Sequence, residues 1–463
     1  MKVLFASSEM FPFVKTGGLG DVANALPLTL KKHSDLSVVV PLYGFLELNN
    51  LEKTTEFELI LGGINYFIEI YKLVYEDINI YFIKAPILSE TQHLYSYKGG
   101  DYENNDLRFG IFSAAIVELC VILKVKIVHL NDWHTALSAF YIKQRNLNIK
   151  SLFTIHNLAY QGVFNQDSCK RLGIADEYFT MDALEFYGQL NILKAGIAYA
   201  DAITTVSSTY AQEILTPEFG CGLDGFLNHH SKKLTGILNG INTDLFNPKT
   251  DPNLSEHYSI TMLENKYKNK TVFLKNTTLK DPRRPLFVVL SRLVEQKGID
   301  LIVKVLPELL KKKINVFILG EGEEQYTNKL ESLAQTHKNL EFRNCFDEEL
   351  SPLVYAAADF LLMPSRFEPC GLAQLIAMRY GTIPIVYATG GLKDSVHEKK
   401  NLCGRGIVFE KYTKKEFTQA IDRALKLKKD TKDFNEARIF NMKCDLSFEK
   451  GASEYIKLYE SLV

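Results

Sequence analysis

The segment that decides the fold is Lys2–Asp21, which reads KVLFASSEMFPFVKTGGLGD. It begins with the short apolar run Lys2–Ala6, typical of a strand covered on both faces. Its glycines lead into Asp21–Lys32, where apolar residues recur on one side and predict a helix. A strand, a glycine-rich loop and a helix in this order are typical of a parallel α/β sheet.

Apolar runs of the same kind recur along the chain and alternate with helical stretches. In the first half they predict strands at Ser37–Pro41, Lys126–Leu130, Ser151–Ile155, Ala202–Val206 and Leu234–Leu238. After the polar residues 249–284 the series restarts, with a helix over Ile299–Lys312 and strands at Leu286–Leu290, Asn315–Leu319, Phe360–Met363 and Pro384–Tyr387. We therefore predict two doubly wound, Rossmann-like α/β domains, residues 1–241 and 250–446, joined near 241–250. Ligands lie at the carboxyl ends of such strands, so we expect the site in a deep cleft between the domains.

Length and composition narrow the class of protein. The 463 residues are 46% hydrophobic, which is enough for two cores. With 54 Lys and Arg against 55 Asp and Glu, the net charge of −1 predicts no general affinity for nucleic acid or anionic membrane. No stretch approaches the roughly 18 apolar residues that span a bilayer, and Met1 does not open a secretory signal. Seven scattered cysteines without a Cys-x-x-Cys pair predict reduced thiols, so we expect a cytoplasmic protein.

The loop after the first strand carries the first candidate binding residues. Gly17 and Gly18 let the backbone approach a ligand closely, and the following helix offers free N–H groups. Lys15 adds a positive charge at the same place, which suits a phosphate or sugar hydroxyls. A tight glycine turn beside an exposed lysine has the same composition, so the residue types alone leave both interpretations open.

Two loops of the second half carry related chemistry. Arg292 and Lys297 lie in SRLVEQKG, where a planar fork and a point charge can reach one anion. The alternative is a surface ion pair with Glu295. Glu368 lies in PSRFEPCGL, just before a helix start at Gly371, where a carboxylate can accept hydrogen bonds from sugar hydroxyls. Its alternative role is only to favour the helix dipole.

Further polar residues stand where predicted strands end. Asp132, Trp133 and His134 follow one strand, and His156 follows the next. An isolated histidine is more often structural, but these positions should converge on the same crevice as the glycine loops. Residues 389–392, Thr-Gly-Gly-Leu, add backbone N–H groups before another helix.

Several motif classes are absent from the sequence. It contains neither Asp-x-Asp nor His-Glu-x-x-His, so no metal ligands are predicted. Residues 320–322, Gly-Glu-Gly, lack the third glycine of a dinucleotide fingerprint because residue 325 is Gln. We therefore expect no metal and no cofactor.

Taken together, the motifs resemble those of the bacterial glycogen synthase and starch synthase family. Their order and spacing match over most of the chain: SEMFPFVKTGGLGD, NDWHT, TIHNLAYQG, ILNGI, SRLVEQKG, PSRFEPCGLAQLIAMRYG and TGGL. The resemblance implies a GT-B fold whose C-terminal helix, residues 447–463, crosses back to complete the first domain. It also implies metal-free transfer of glucose from ADP-glucose to the non-reducing end of an α-1,4-glucan, glycogen or starch, with retention.

The resemblance further implies roles for individual residues. Those implied in catalysis are Glu368, His156, Arg292, Lys297 and Asp132. Those implied to bind the sugar nucleotide are Lys15, Gly17, Gly18, Asn239, Phe346, Cys370, Gly371, Leu372, Thr389 and Gly390. Those implied on the acceptor side are Glu9, Asp21, Trp133 and His134.

Two positions depart from patterns found in related enzymes. Phe346 stands where many relatives have Tyr against the nucleobase, which keeps stacking but removes a hydroxyl. Ile376 stands where many retaining GT-B enzymes have a second Glu, as in synthases of this family. The donor thus stays open between ADP-glucose and UDP-glucose, and the bacterial resemblance favours ADP-glucose.

Two other functions compete with the synthase. A glucan phosphorylase would need lysine-bound pyridoxal phosphate and a chain nearly twice as long. A catalytically inactive glucan-binding protein would be expected to have lost Lys15, Arg292, Lys297 or Glu368, and all four are present.

Overall fold

The computed structural model describes residues 1–97, 100–345, 347–398 and 403–463. Internal contacts divide the chain into two compact units. Unit 1 comprises Met1–Asn239 and Phe448–Val463, and unit 2 comprises Gly240–Ser447. Each unit is built around its own sheet, wholly parallel in unit 2 and mostly parallel in unit 1, because each has apolar strands that must be covered on both faces.

The elements of unit 1 are strands and helices that alternate in part, with β2 to β5 following one another without a helix between them. Its strands are β1 (Lys2–Ala6), β2 (Asp35–Pro41), β3 (Glu52–Leu61), β4 (Ile64–Tyr75), β5 (Ile78–Lys84), β6 (Ser96–Tyr97), β7 (Gly100–Asp101), β8 (Ile127–Asn131), β9 (Lys150–Ile155), β10 (Val163–Asn165), β11 (Glu185–Phe186), β12 (Gln189–Asn191), β13 (Ala202–Thr205) and β14 (Leu234–Gly236). Its helices before residue 240 are α1 (Gly18–Leu30), α2 (Pro86–Ser89), α3 (Asn105–Ile122), α4 (Trp133–Gln144), α5 (Ser168–Arg171), α6 (Ile192–Tyr199), α7 (Ser208–Glu213) and α8 (Asp224–His229).

Unit 2 repeats the alternation with a smaller sheet. Its helices are α9 (Glu264–Lys275), α10 (Ile299–Leu309), α11 (Glu324–Thr336), α12 (Leu350–Ala357), α13 (Ala373–Arg379), α14 (Gly390–Ser395), α15 (Lys414–Lys429) and α16 (Thr431–Lys443). Its strands are β15 (Leu286–Leu290), β16 (Asn315–Leu319), β17 (Leu340–Arg343), β18 (Phe360–Met363), β19 (Ile383–Tyr387) and β20 (Ile407–Phe409). The final helix, α17 (Glu449–Leu462), belongs to unit 1.

The strand order gives each sheet a point at which the topology reverses. Unit 2 has the order β17-β16-β15-β18-β19-β20, all parallel, so its first strand is flanked by its second and fourth. This is the Rossmann order 3-2-1-4-5-6. The large sheet of unit 1 has the order β14-β13-β9-β8-β1-β2-β5-β4-β3, with β1 between β2 and β8. Ligands of such sheets bind at the carboxyl ends of the strands beside the reversal.

Side chains alternate between the two faces of each strand and build a core on each face. In β15, Phe287 and Val289 belong to one cluster, and Leu286 and Val288 belong to another. The predicted α/β class with two Rossmann-like sheets is confirmed.

Helix α17 packs into the core of unit 1. Phe448, Tyr455 and Tyr459 are buried in the same cluster as Phe5 of β1. The Tyr459 hydroxyl lies 2.7 Å from Nδ1 of His129, a fully buried side chain of β8. The C-terminal segment therefore contributes buried surface to the first sheet.

Three expectations from the sequence need correction. Helix α1 begins at Gly18 rather than Asp21, because Gly17 takes the N-cap position and the glycines enter the helix. The cysteines are not all free, since Cys403 and Cys444 form a disulfide with Cα atoms 5.7 Å apart. The antiparallel strands β3 and β4 extend the sheet of unit 1 in a region where no strand was predicted. No helix in the described ranges is long and apolar enough to cross a lipid bilayer.

Candidate active site

Glu9 organises the glycine loop that follows β1. Its carboxylate accepts hydrogen bonds from the backbone N–H groups of Thr16 (2.7 Å) and Gly17 (3.3 Å). It also accepts bonds from the Thr16 hydroxyl (3.1 Å) and the Tyr95 hydroxyl (2.7 Å). Burial raises the pKa of Glu9, although each of these donors favours its charged form. Glu9 therefore holds the loop from inside rather than presenting its carboxylate to solvent.

Lys15 is held beside the start of helix α1. Its Nζ lies 2.8 Å from Oδ1 of Asp21, and both side chains are largely covered. A Cβ at Gly20 would lie 3.0 Å from the Lys15 side chain, so a glycine leaves space for it. Gly17 has no heavy atom within 4 Å of its Cβ position, and Gly18 opens the helix. The alternative interpretation, a tight glycine turn beside an exposed lysine, therefore does not describe Lys15.

Asp132 and His156 connect the ends of β8 and β9. Asp132 Oδ1 accepts the His156 backbone N–H at 2.7 Å, and His156 Nε2 lies 2.8 Å from Asn131 Oδ1. Burial raises the pKa of Asp132 to about 7, against the backbone hydrogen bonds that lower it. Burial also lowers the pKa of His156 to about 3, so its imidazole is neutral at neutral pH. The strand ends thus offer a neutral histidine and a carboxyl group that titrates near neutrality.

Two buried polar atoms on the segments that follow β8 and β14 have no hydrogen-bond partner within the described chain. They are Nδ1 of His134 and Oδ1 of Asn239. The His134 ring stacks on Tyr95 with centroids 4.6 Å apart, and burial holds its pKa well below the usual range. Buried polar atoms are normally paired, so these two are suited to receive groups from a ligand. Trp133 is buried beside the His134 ring, with centroids 4.2 Å apart, and Gly162 packs directly on the Trp133 ring.

In unit 2, Lys297 and Glu368 form an ion pair. Lys297 Nζ lies 2.8 and 2.7 Å from the two carboxylate oxygens of Glu368. The Ser365 hydroxyl donates to the same carboxylate at 2.9 Å. Lys297 therefore pairs with the predicted sugar-binding residue, and the pair joins the loops that follow β15 and β18. Arg292 is exposed on the first of these loops.

The two glycine loops of unit 2 pack against each other. The Gly391 N–H donates to the carbonyl of Glu368 at 3.0 Å. A Cβ at Gly391 would lie 2.2 Å from the carbonyl oxygen of Cys370, so only glycine permits this contact. Gly371 has φ +73°, a left-handed conformation that favours glycine. Around this contact lie the remaining predicted residues: Leu372, which caps α13, Thr389, which caps α14, and Gly390, which begins it.

Sequence reasoning missed the residues that position the predicted ones. Glu9 is hydrogen-bonded to Tyr95, and Glu368 to Ser365. His156 is hydrogen-bonded to Asn131. Asn131 and Ser365 stand within the quoted motifs, so a search for partners of each charged residue could have found them. Tyr95 is separated from Glu9 by 86 residues and carries no such signal. Phe346, predicted to stack on the base, lies outside the described residues.

Comparison with known proteins shows the family of this chain. The family described as "Starch synthase catalytic domain" matches residues 2–229, and "Glycosyl transferases group 1" matches residues 271–439. Glycogen synthase from Desulforamulus reducens is 39% identical, with 100% of this chain and 99% of that one covered. Glycogen synthase from Aquifex aeolicus is 41% identical, with 100% and 99% covered.

Solved structures give the same result. The catalytic domain of starch synthase IV from Arabidopsis thaliana, bound to ADP and acarbose, superposes with a TM-score of 0.92 at 32% identity, covering 99% of each chain. Sucrose-phosphate synthase from Thermosynechococcus elongatus, at 16% identity, 99% and 98% coverage and TM-score 0.64, shares the fold alone.

The fold and the relatives define a retaining hexosyltransferase of the GT-B class. The chain belongs to the glycogen synthase and starch synthase family. The family, the enzyme class and the glucan synthase activity predicted from the motifs are therefore confirmed.

Proposed function

We propose that the enzyme transfers glucose from ADP-glucose to the non-reducing end of an α-1,4-glucan, retaining the anomeric configuration and releasing ADP. The observation that carries the proposal is the Lys297–Glu368 pair. It sets a fixed cation beside a carboxylate whose oxygens can accept hydrogen bonds from sugar hydroxyls. A nucleotide-sugar needs both, a cation at its phosphates and an acceptor at its sugar.

The leaving diphosphate gathers negative charge as the glycosidic bond breaks. Lys297 has three ammonium donors, so it can bind a phosphate oxygen and still contact Glu368. Arg292 adds a planar guanidinium on the same loop, and the glycine loops at 371 and 390 supply backbone N–H groups. Because these donors are already in position, they stabilise the charge that develops on the diphosphate without any rearrangement of the protein.

Residues of unit 1 are proposed to contact the sugar nucleotide and the acceptor glucan. Lys15, Gly17 and Gly18 contact the sugar nucleotide, and Asn239 bonds to it through its unpaired Oδ1. The neutral His156 and its backbone carbonyl lie beside the glucose, where oxygen lone pairs favour an oxocarbenium-like sugar. Asp132 fixes the His156 backbone through their hydrogen bond.

The acceptor side of the site is proposed to involve four further residues of unit 1. Trp133 and His134 are proposed to border the path of the glucan. Glu9 and Asp21 have a positioning role, because each is already bonded to the glycine loop or to Lys15. They would then influence the acceptor through the shape of the loop.

Donor choice is tested by incubating the enzyme and glycogen with labelled ADP-glucose or UDP-glucose in the presence of EDTA. We expect faster incorporation from ADP-glucose, and full activity with the chelator. Faster transfer from UDP-glucose would overturn the donor assignment, and strict dependence on added Mg²⁺ would overturn the metal-free step. Absence of incorporation from either donor would overturn the proposed function.

A further inference from the structure

The tip of the hairpin β11–β12 carries an exposed aromatic ring on a strained turn. Phe186 pairs with Gln189, so Tyr187 and Gly188 form a two-residue loop. Their φ angles are +50° and +80°, the signature of a type I′ turn, whose first position favours Asn, Asp or Gly. A tyrosine there is disfavoured by sterics, yet its side chain is 82% exposed and gains little by burial. Neither the turn conformation nor burial therefore explains a tyrosine at this position.

The hairpin is held rigidly in spite of that strain. Glu185 accepts the Gly188 N–H at 2.6 Å and so closes the turn. Buried Lys194 donates to the carbonyls of Met181 (2.7 Å) and Glu185 (2.6 Å). Strained residues that are fixed in this way cluster at functional sites.

The ring is supported from below. The Phe186 and Tyr187 rings lie 4.8 Å apart in an edge-to-face arrangement. Both pack over Gly222, where a Cβ would lie 3.1 Å from Phe186 and 3.8 Å from Tyr187. Gly222 has φ +80°, so its conformation also favours glycine. The outer face of Tyr187 is thus presented to solvent on a fixed support.

The support is continuous with the acceptor side of unit 1. The carbonyl of Cys221, next to Gly222, accepts a bond from Gln161 Nε2 at 3.1 Å. Gln161 also accepts from Asn191 of β12 at 2.6 Å. The following residue, Gly162, packs on the Trp133 ring. These contacts connect Trp133, through Gln161 and Gly222, to the hairpin tip. We call this connected set of residues the Trp133 wall.

We propose that Tyr187 is a binding platform for a glucan chain that extends beyond the reacting end of the acceptor. Pyranose rings present C–H faces that pack on aromatic rings, and a rigid aromatic side chain binds with little loss of conformational freedom. Its continuity with the Trp133 wall selects a glucan as the occupant. The inference rests on the proposed function in one respect, that the acceptor is an α-glucan.

The test compares Tyr187→Asn with Phe67→Asn. Asn suits the turn, so Tyr187→Asn should melt no lower than the wild type, which separates binding from folding. Phe67 is the control, an exposed aromatic residue on β4 outside this wall. Binding is read from retardation in native gels containing glycogen, and transfer is measured with glycogen and with maltotriose as acceptors.

We expect Tyr187→Asn to weaken apparent glycogen affinity about five- to tenfold, the range of one lost aromatic contact. The KM for maltotriose, the KM for ADP-glucose and kcat should change less than about twofold, since a short acceptor does not reach the tip. Phe67→Asn should match the wild type in both assays.

Unchanged glycogen retardation in Tyr187→Asn would overturn the inference, as would an equal loss with maltotriose or in Phe67→Asn. A changed oligomeric state with unchanged retardation would also overturn it, because the ring would then cover a second copy of the chain. Gel retardation needs no turnover. An enzyme that binds glycogen through Tyr187 but transfers nothing would therefore refute the proposed function and leave the platform standing.

Discussion

Glu368 is buried, and its carboxylate accepts hydrogen bonds from Lys297 and Ser365, which leaves acceptor capacity for a sugar hydroxyl. Replacing it with Gln keeps the shape but removes the charge that holds Lys297 and accepts sugar hydroxyls. We expect Glu368→Gln to lower kcat by at least about 100-fold, or ~2.7 kcal/mol of transition-state stabilisation, while ADP binding is retained.

The measurement is initial-rate transfer from ADP-glucose, together with calorimetric titration of ADP. Ser365→Ala serves as a milder comparison because it removes one donor and leaves the ion pair intact. A rate for Glu368→Gln within tenfold of the wild type would contradict the role assigned to this carboxylate.

Asp132 gives stability a pH dependence of predictable sign. Its pKa in the folded state is about 7, raised from 3.8 by burial. Between these values the folded state binds the proton more tightly than the unfolded state, so the free energy of unfolding falls as pH rises from about 4 to 7. Asp132→Asn removes this titration and should gain stability relative to the wild type across that window, by up to about 4 kcal/mol.

Denaturant unfolding of both proteins at several pH values measures the difference. Asp77→Asn is the matched control, since the Asp77 side chain is 99% exposed. The difference in the free energy of unfolding between Asp77→Asn and the wild type should not change with pH. If the difference in the free energy of unfolding between Asp132→Asn and the wild type is also independent of pH, the buried carboxyl does not titrate between about pH 4 and 7.

For individual residues, the sequence identified charged side chains but could not identify the groups to which they are hydrogen-bonded. Lys266 stands in the polar stretch 249–284, yet its side chain is buried. Its ammonium group donates to the carbonyls of Tyr355 and Ala356 and to the Thr382 hydroxyl at 2.8–2.9 Å. A buried lysine is stable only when such acceptors surround it, and these lie about 90 or more residues away.

Helix α14 packs so closely on the loop after β18 that residue 391 has no room for a side chain. Its added Cβ would meet backbone atoms of Cys370, which cannot move as a flexible side chain can. We expect Gly391→Ala to lower the free energy of unfolding by about 1–3 kcal/mol, as overpacking does, and to reduce transfer because both loops shift.

Gly225→Ala in helix α8 is the control, since nothing lies within 4 Å of its Cβ position. It should be neutral or stabilise the enzyme by up to about 1 kcal/mol, because Ala is the better helix former. Thermal unfolding and transfer rates of the two variants give the comparison. Equal stability of both would contradict the close packing of the two loops.

The parallel strands were predictable because buried strands are continuous apolar runs. β1, β15, β16 and β18 have the predicted bounds. The hairpin β3–β4 was not predictable in this way, because β3 is half exposed and mixes Glu52, Lys53 and Glu56 with apolar residues. Its apolar positions do not form a continuous run, and its partner strand decides its structure.

Over the whole molecule, two Rossmann-like units place their polar loops at the strand ends beside the topological reversals. The family resemblance predicted this arrangement, and local propensity could not. α17 shows why: its place in unit 1 depends on contacts such as that of Tyr459 with His129, 330 residues apart. Contacts over such separations leave no periodic signal in the sequence.

The central claim is that this enzyme catalyses retaining α-1,4-glucosyl transfer. Its most direct test is NMR of the product formed from maltotriose and ADP-glucose labelled with ¹³C at C1, with EDTA present. The account predicts one new anomeric signal, that of a terminal glucose in α-1,4 linkage at the non-reducing end. A β-anomeric signal, another linkage, or no labelled product would contradict it.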